Sequence, residues 1–325
     1  MLVDHIWIGL AAAGRLLPAS RPARHNVEVI RDIPYVANGA REHVLDVYRP
    51  MAGVGASAGE NGGPWPVVLY IHGGGFRLLS KDTHYVMALA FARRGYLVCN
   101  ISYRLAPRHR FPAGAMDAAA AYRWVLEHVH EFGGDPSRIV LAGESAGANL
   151  ATVLAVASCW RRPEPWAQEI YDLGRVPTAV VAACGLLQVR GTERFRQGPR
   201  PMPLFFHDHI VHIAHSYLGI DAKDDDPEHA LADPLVVLEG AGPPDRPLPP
   251  FFAPVGTRDP VADDTRRLAT ALQRLGVRCD APEYEGETHA FHAIMFLRNA
   301  RRCWSHTYRF LDGVLRPAEH ADAVS

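Results

Sequence analysis

The run from Ile139 to Ala151, IVLAGESAGANLA, passes from an apolar stretch into an alanine-rich one with only Gly143-Glu144-Ser145-Ala146-Gly147 between them. A G-x-S-x-G set between a strand and a helix turns the chain so sharply that the serine takes a strained backbone, and the two glycines keep the bend from striking the neighbouring chain. The hydroxyl is then presented above the end of a sheet. Alone, the five-residue pattern is common by chance, and a bland turn serine competes with a nucleophile. The strand before it and the helix after it favour the nucleophile, which makes Ser145 the first candidate catalytic residue.

The rest of the chain supplies the alternation such a bend needs. Strand-like and helix-like segments follow one another, predicting an α/β architecture with a mostly parallel central sheet flanked by helices. VEVIRDIPY and EHVLDVYRP alternate with period two, whereas PVVLYIH and YLVCNISY are short, wholly apolar runs, as expected of buried parallel strands. KDTHYVMALAFARRG between these two reads as a helix, giving one βαβ unit, and PAGAMDAAAAYRWVLEHVHEFG as a longer one. The sheet resumes at TAVVAACG, PFFAPVG and VRCDAPEY, and residues 52 to 64 read as a Gly/Ala-rich surface loop. From Leu186 to about Pro234 the rhythm breaks into a segment rich in Arg, Pro, Phe and His. A long insertion between sheet strands crosses the sheet edge or forms a lid, so residues 186–234 are expected to form a cap, completed by residues 1–25, over a single domain spanning 1–325.

Apolar residues make up 48% of the 325, enough for a substantial core. The formal net charge of −1 leaves no broad basic field to recruit nucleic acid. The apolar N-terminal run ends at Arg15 and has no basic lead, short of the roughly 20 residues a span requires, so no stable membrane insertion is expected. Five cysteines, an odd number without C-x-x-C spacing, read as buried free thiols in a reducing, cytoplasmic compartment.

A serine hydroxyl is a weak nucleophile unless an adjacent base takes its proton, and that base needs a third group to fix its tautomer. With the serine on an elbow, acid and histidine should follow in that order after later strands. FFAPVGTRDPVADDT puts Asp259 just past one strand, and YEGETHAFH puts His289 just past the next. Asp263 and Asp264 compete for the acid position but fall where a helix should have begun, with capping and solvation as their default parts. His292 is expected to start a helix and to contact the cap. In YIHGGGFRLLS the glycines could cradle phosphate, but neither G-x-x-x-x-G-K-[ST] nor a helix-opening G-x-G-x-x-G is present. The N–H groups of Gly74 and Gly75, joined by that of Ala146, are then expected to receive an oxyanion, with Gly73 serving the turn and His72 holding the loop.

HGGGF, YRLAPRHRFPAGAMDA, GESAGAN, Asp259-Pro260 and HAF at His289, in that order from about Val67 to Leu311, resemble the hormone-sensitive-lipase-like carboxylesterases, the bacterial family IV esterases. The resemblance implies an α/β-hydrolase fold, no cofactor, and hydrolysis of short to medium acyl esters through an acyl-enzyme beneath a helical cap. It also carries Ser145, Asp259 and His289 over as the triad. Three positions depart from the family pattern: Arg108 replaces an acid, Arg110 a proline, and Glu144 the more usual Asp or Thr. The same machinery would serve an amide, lactone or carbamate, and a noncatalytic small-molecule receptor is the reading from outside enzymology.

FFHDHIVHIAHSY sets Asp208, His212 and His215 on one helix face, which raises a metal site; nothing in ester chemistry needs one, and a solvated or cap-packing helix is preferred. Leu204, Phe205, Phe206, Ile210, Ile213 and Tyr217 form an apolar stripe. With Phe76, the residues Leu204, Phe205, Phe206 and Ile210 are the expected lining of a substrate pocket. The expected partner is a small-molecule ester, with a homodimer left open.

Overall fold

The computed structural model describes residues 21–37, 40–51, 64–197, 201–223 and 226–315. The first twenty residues of the expected cap, nearly all of the Gly/Ala-rich loop and the C-terminal tail lie outside them. Eight strands form one sheet in the order β1-β2-β4-β3-β5-β6-β7-β9: β1 Val27–Pro34, β2 Val44–Pro50, β3 Trp65–Ile71, β4 Leu97–Ile101, β5 Gly134–Glu144, β6 Ala179–Ala183, β7 Phe251–Phe252 and β9 Cys279–Asp280. The β1–β2 and β2–β4 pairs are antiparallel, and every other pair is parallel.

The wholly apolar strand runs are explained by burial on both faces. Alternate residues of β3 enter separate clusters, Val67, Leu69 and Ile71 on one side and Val68 and Tyr70 on the other. Each such side chain contributes about 1.5–3 kcal/mol on full burial, so neither face can be given to water. Helices α1 (Tyr85–Ala92) and α8 (Arg298–Leu315) cover the second side. On the first lie α2 (Ala113–His128), α3 (Ala146–Cys159), α4 (Pro165–Asp172), α5 (Leu204–Leu218), α6 (Pro234–Gly240) and α7 (Ala262–Arg274). Every residue of α3 is buried, which accounts for its small side chains.

Two elements differ from expectation. PFFAPVG breaks into β7 and β8 (Val255–Gly256), and VRCDAPEY into β9 and β10 (Glu283–Tyr284), with β8 and β10 paired as a separate parallel ribbon. Pro254 and Pro282 sit at the two breaks, where neither can donate to a ladder. The helix expected from Lys81 begins only at Tyr85, because Lys81 is buried and its ammonium lies 2.8 Å from both Asp32 and Asp46.

Between β6 and β7 the chain makes its long excursion, and two buried carboxylates fix where it leaves and returns. Asp264 Oδ2 accepts the N–H groups of Leu187 (3.0 Å) and Gln188 (3.1 Å), and the Arg194 guanidinium lies 3.0 Å from Oδ1. Asp233 Oδ1 accepts from the N–H of Val189 at 2.5 Å, and Oδ2 from Arg190 Nε at 2.6 Å. Asp264 therefore corrects the sequence expectation: in the first turn of α7 it points inward and is fully buried, while its neighbour Asp263 is exposed. The middle of the excursion lies over the glycine loop. The Tyr217 ring of α5 stacks on Phe76 at 3.7 Å between centroids, and its carbonyl accepts the N–H of Phe111 at 2.8 Å.

Candidate active site

Ser145 sits between the end of β5 and the start of α3 with φ 55° and ψ −117°, the left-handed side of the map that a residue with a Cβ avoids. The bend survives because its neighbours have no side chain. A Cβ on Gly147 would come to 2.0 Å from the Ile71 carbonyl oxygen, and one on Gly143 to 2.5 Å from the Gly147 carbonyl carbon. The Ser145 N–H donates to Ala183 O at 3.0 Å, tying the bend to the end of β6.

Asp259 and His289 come together at the ends of β8 and β10. His289 Nδ1 lies 3.0 Å from each carboxylate oxygen of Asp259, and Asp259 Oδ1 also accepts the Val261 N–H at 2.9 Å. The carboxylate is wholly buried and the imidazole about a third exposed, at 35%. Burial alone would lower the pKa of His289, but the charge and hydrogen bond of Asp259 outweigh it and hold the pKa above its ordinary value. With Nδ1 donating to Asp259, Nε2 is the nitrogen left to accept a proton.

Buried Cys184 lies against this pair. Its sulfur, an Asp259 carboxylate oxygen and a His289 ring nitrogen all fall within 4.8 Å of one another, the one such group of potential metal ligands among the described residues. Burial, with the charge of Asp259, pushes the Cys184 thiol pKa well above its ordinary value. Asp208, His212 and His215 do not converge in this way. His292 departs from expectation: it lies in a 3-10 turn, Phe291–Ala293, buried beneath the site, and α8 begins only at Arg298. Its carbonyl accepts Trp304 Nε1 at 3.0 Å, and burial pushes its pKa down to about 4.

The glycine loop follows β3. Gly74 and Gly75 have φ of +106° and +59°, so the turn falls on them and not on Gly73 as expected. A Cβ on Gly74 would lie 2.3 Å from Leu78 O, and one on Gly75 2.9 Å from Ile213 Cδ1 of α5. Among the described residues, the N–H groups of Gly74, Gly75 and Ala146 have no acceptor. His72 is fully buried, its Nδ1 2.7 Å from Gly73 O and its ring stacked on Tyr103 at 4.3 Å, consistent with a loop-holding part.

In the sequence Glu144 stands out only as a departure from a pattern. It is a buried carboxylate with three partners: the N–H of Gly73 at 2.6 Å, His84 Nε2 at 2.6 Å, and the Tyr70 hydroxyl. Burial would raise its pKa, but His84 above all, with Tyr70, holds it below the usual carboxylate range. The readable signal was an acid inside an otherwise apolar strand run, which must be paired if it is buried.

Residues 68–293 match the family model described as alpha/beta hydrolase fold, about seven-tenths of the chain. The chain belongs to the α/β-hydrolase fold family. Within that family it is 34% identical over 232 residues to the carboxylesterase NlhH of Mycobacterium tuberculosis, a match covering 70% of this chain and 66% of that protein. The match thus spans just under two thirds of the length of that curated relative. A bacterial heroin esterase shares the fold with a TM-score of 0.74 at 23% identity, covering 97% of this chain and 91% of the other. The hyperthermophilic esterase from the archaeon Pyrobaculum calidifontis superposes with a TM-score of 0.69 at 27% identity, covering 96% and 92%.

In this α/β-hydrolase the expected pocket lining divides. Phe76 and Ile210 are buried, but Leu204, Phe205 and Phe206 are 62%, 68% and 49% exposed. The reason is their place in the first turn of α5, ahead of the face that carries Ile210, Ile213 and Tyr217 into the core. A cavity of about 20 Å³ lies behind the elbow, lined by Tyr70, Gly143, Ala183 and His292, and Ser145 does not border it. Among the described residues no helix is long and apolar enough to cross a membrane.

Proposed function

We propose that this protein is a serine carboxylesterase acting on short to medium acyl esters through an acyl-enzyme, with Ser145 as nucleophile, His289 as base and Asp259 as the acid that orients it. The observation that carries the reading is the His289–Asp259 pair, formed through Nδ1 with Nε2 left over, in a molecule that also holds Ser145 on a strained strand-to-helix elbow. His289 takes the proton of Ser145 as the hydroxyl oxygen attacks the ester carbonyl, and buried Asp259 stabilises the imidazolium. The free N–H groups of Gly74, Gly75 and Ala146 receive the negative charge growing on the carbonyl oxygen. His289 then returns the proton to the departing alcohol. Water, deprotonated by the same nitrogen, releases the acid and restores the serine. These residues complete the chemistry without a cofactor, and the excursion between β6 and β7 serves as the cap over the glycine loop. Esterase names among the relatives agree with this reading.

The test is chemical labelling with kinetics. A fluorophosphonate should modify Ser145 alone, and Ser145→Ala should lose turnover of p-nitrophenyl butyrate by about a thousandfold or more while melting like the wild type. Retained turnover in folded Ser145→Ala would remove the nucleophile assignment. An ester, amide, lactone and carbamate panel fixes the bond cleaved.

A further inference from the structure

We propose that Glu144, neutralised by His84, is a positioning residue that aims the oxyanion-binding N–H groups of the glycine loop; this rests on the esterase reading above. Each trans peptide of the glycine loop is planar. Within one peptide the carbonyl and the following N–H point in opposite directions, so fixing a carbonyl aims the next N–H the other way. The Gly73 carbonyl is held by His72 Nδ1 at 2.7 Å, which sets the N–H of Gly74. The Gly74 carbonyl accepts the N–H groups of Arg77 and Leu78, both at 3.1 Å, which sets the N–H of Gly75. What remains is where this stack of peptides begins, and that is the N–H of Gly73, which Glu144 Oε1 holds at 2.6 Å.

Glu144 is also the residue immediately before Ser145. One side chain therefore links the strand end that presents the nucleophile to the loop that presents the oxyanion donors. The fit is tight: a Cβ on Gly73 would lie 2.8 Å from both Glu144 O and Oε1, so residue 73 must be glycine for the carboxylate to reach its N–H.

Charge explains His84. An unpaired carboxylate this close to a developing oxyanion would oppose the transition state, and in a buried site the opposition is strong. His84 Nε2 lies 2.6 Å from Glu144 Oε1, and its imidazole is held above its ordinary pKa by that carboxylate, against the effect of burial. The ring is itself located by Nδ1, which lies 2.9 Å from Thr83 Oγ1 and 3.3 Å from Ser80 O. The pair presents an acceptor to Gly73 while adding little net charge beside the reacting carbonyl.

The test compares Glu144→Leu, Glu144→Gln and His84→Leu, each with active sites counted by fluorophosphonate. Glu144→Leu should lower kcat on p-nitrophenyl butyrate by about 100-fold, near the loss from deleting one oxyanion donor, with KM within about threefold. Its affinity for a trifluoromethyl ketone, which forms a tetrahedral oxyanion, should fall in parallel. Glu144→Gln keeps an oxygen for Gly73 and should recover most of that loss. His84→Leu leaves the anion uncompensated and should slow kcat at unchanged KM, which keeps the idea testable should Glu144→Leu not fold. A merely structural carboxylate would lower the counted sites and the melting temperature and leave kcat per site alone; that outcome, or a loss confined to KM, overturns the inference. Absence of a fluorophosphonate adduct from folded wild type overturns the esterase reading, and the inference with it, whereas an adduct with an unimpaired Glu144→Leu overturns the inference alone.

Discussion

The strand ends around Ser145 and the excursion between β6 and β7 are built on opposite plans. At the strand ends almost nothing is adjustable: glycines sit where a Cβ would strike a carbonyl, Asp259 and Glu144 are buried, and both carboxylates are spent on named donors. The excursion is equally firm where it leaves and returns, at Asp264 and Asp233, but 3-10 turns and α5 lie between these anchors, and α5 begins with three exposed apolar side chains. Backbone geometry and paired buried charge fix the first region throughout. The second is fixed at its attachment and leaves apolar side chains of its first α5 turn exposed.

The sharpest way to break that contrast is Asp259→Asn. If the strand-end region is the reactive one, kcat/KM should fall by about ten-thousandfold, because an amide facing Nδ1 favours the wrong tautomer and cannot stabilise an imidazolium. Asp263→Asn, an exposed change in the first turn of α7, should leave the rate near wild type. The wild-type pH profile tests the same pair. His289 must be neutral to act as base, and its pKa is raised, so kcat/KM should decline as pH falls through a value above the usual 6.5. In Asp259→Asn the residual activity should lose that upward displacement. An unshifted limb in both proteins would mean that another group titrates.

Second in size is Asp264→Ala, directed at the foot of the excursion. The substitution leaves the guanidinium of Arg194, whose side chain is 19% exposed, and the N–H groups of buried Leu187 and half-buried Gln188 without their acceptor. Breaking such a pair costs roughly 3 kcal/mol, several degrees in Tm. A melt indistinguishable from wild type would show that Asp264 does not anchor the excursion.

What could be read in the sequence follows the same division. The β3–α1–β4 unit, the elbow at Ser145 and the pairing of Asp259 with His289 were legible because each reflects a local rule: apolar runs for two-sided strands, glycines for a bend, an acid and a histidine after successive strands. The partners of Glu144 were not legible, since Tyr70, Gly73 and His84 approach it across strands and a turn far away in sequence. Asp264 misled for a related reason. Adjacent acids in the first turn of a helix look alike in sequence, and only the chain arriving from Leu187 distinguishes the inward one from the outward one. The split of the last strands could have been anticipated from Pro254 and Pro282.

The smallest effect is expected at the outer end of α5. Phe205 and Phe206 touch edge to face, 5.6 Å between ring centroids at 76°, and lie in the first turn of α5, before the buried residues Ile210, Ile213 and Tyr217. Apolar periodicity assigns them to a pocket or a core, yet their exposures of 68% and 49% mean that folding removes only part of their area from water. Replacing both by serine therefore forfeits little transfer energy and one exposed ring contact, and each change should shift stability by no more than about 0.5 kcal/mol. A thermal melt decides it. A fall comparable to that of Asp264→Ala would mean that these rings are covered in the folded protein, so that the first turn of α5 is anchored as firmly as the foot of the excursion and the contrast between its two ends does not hold.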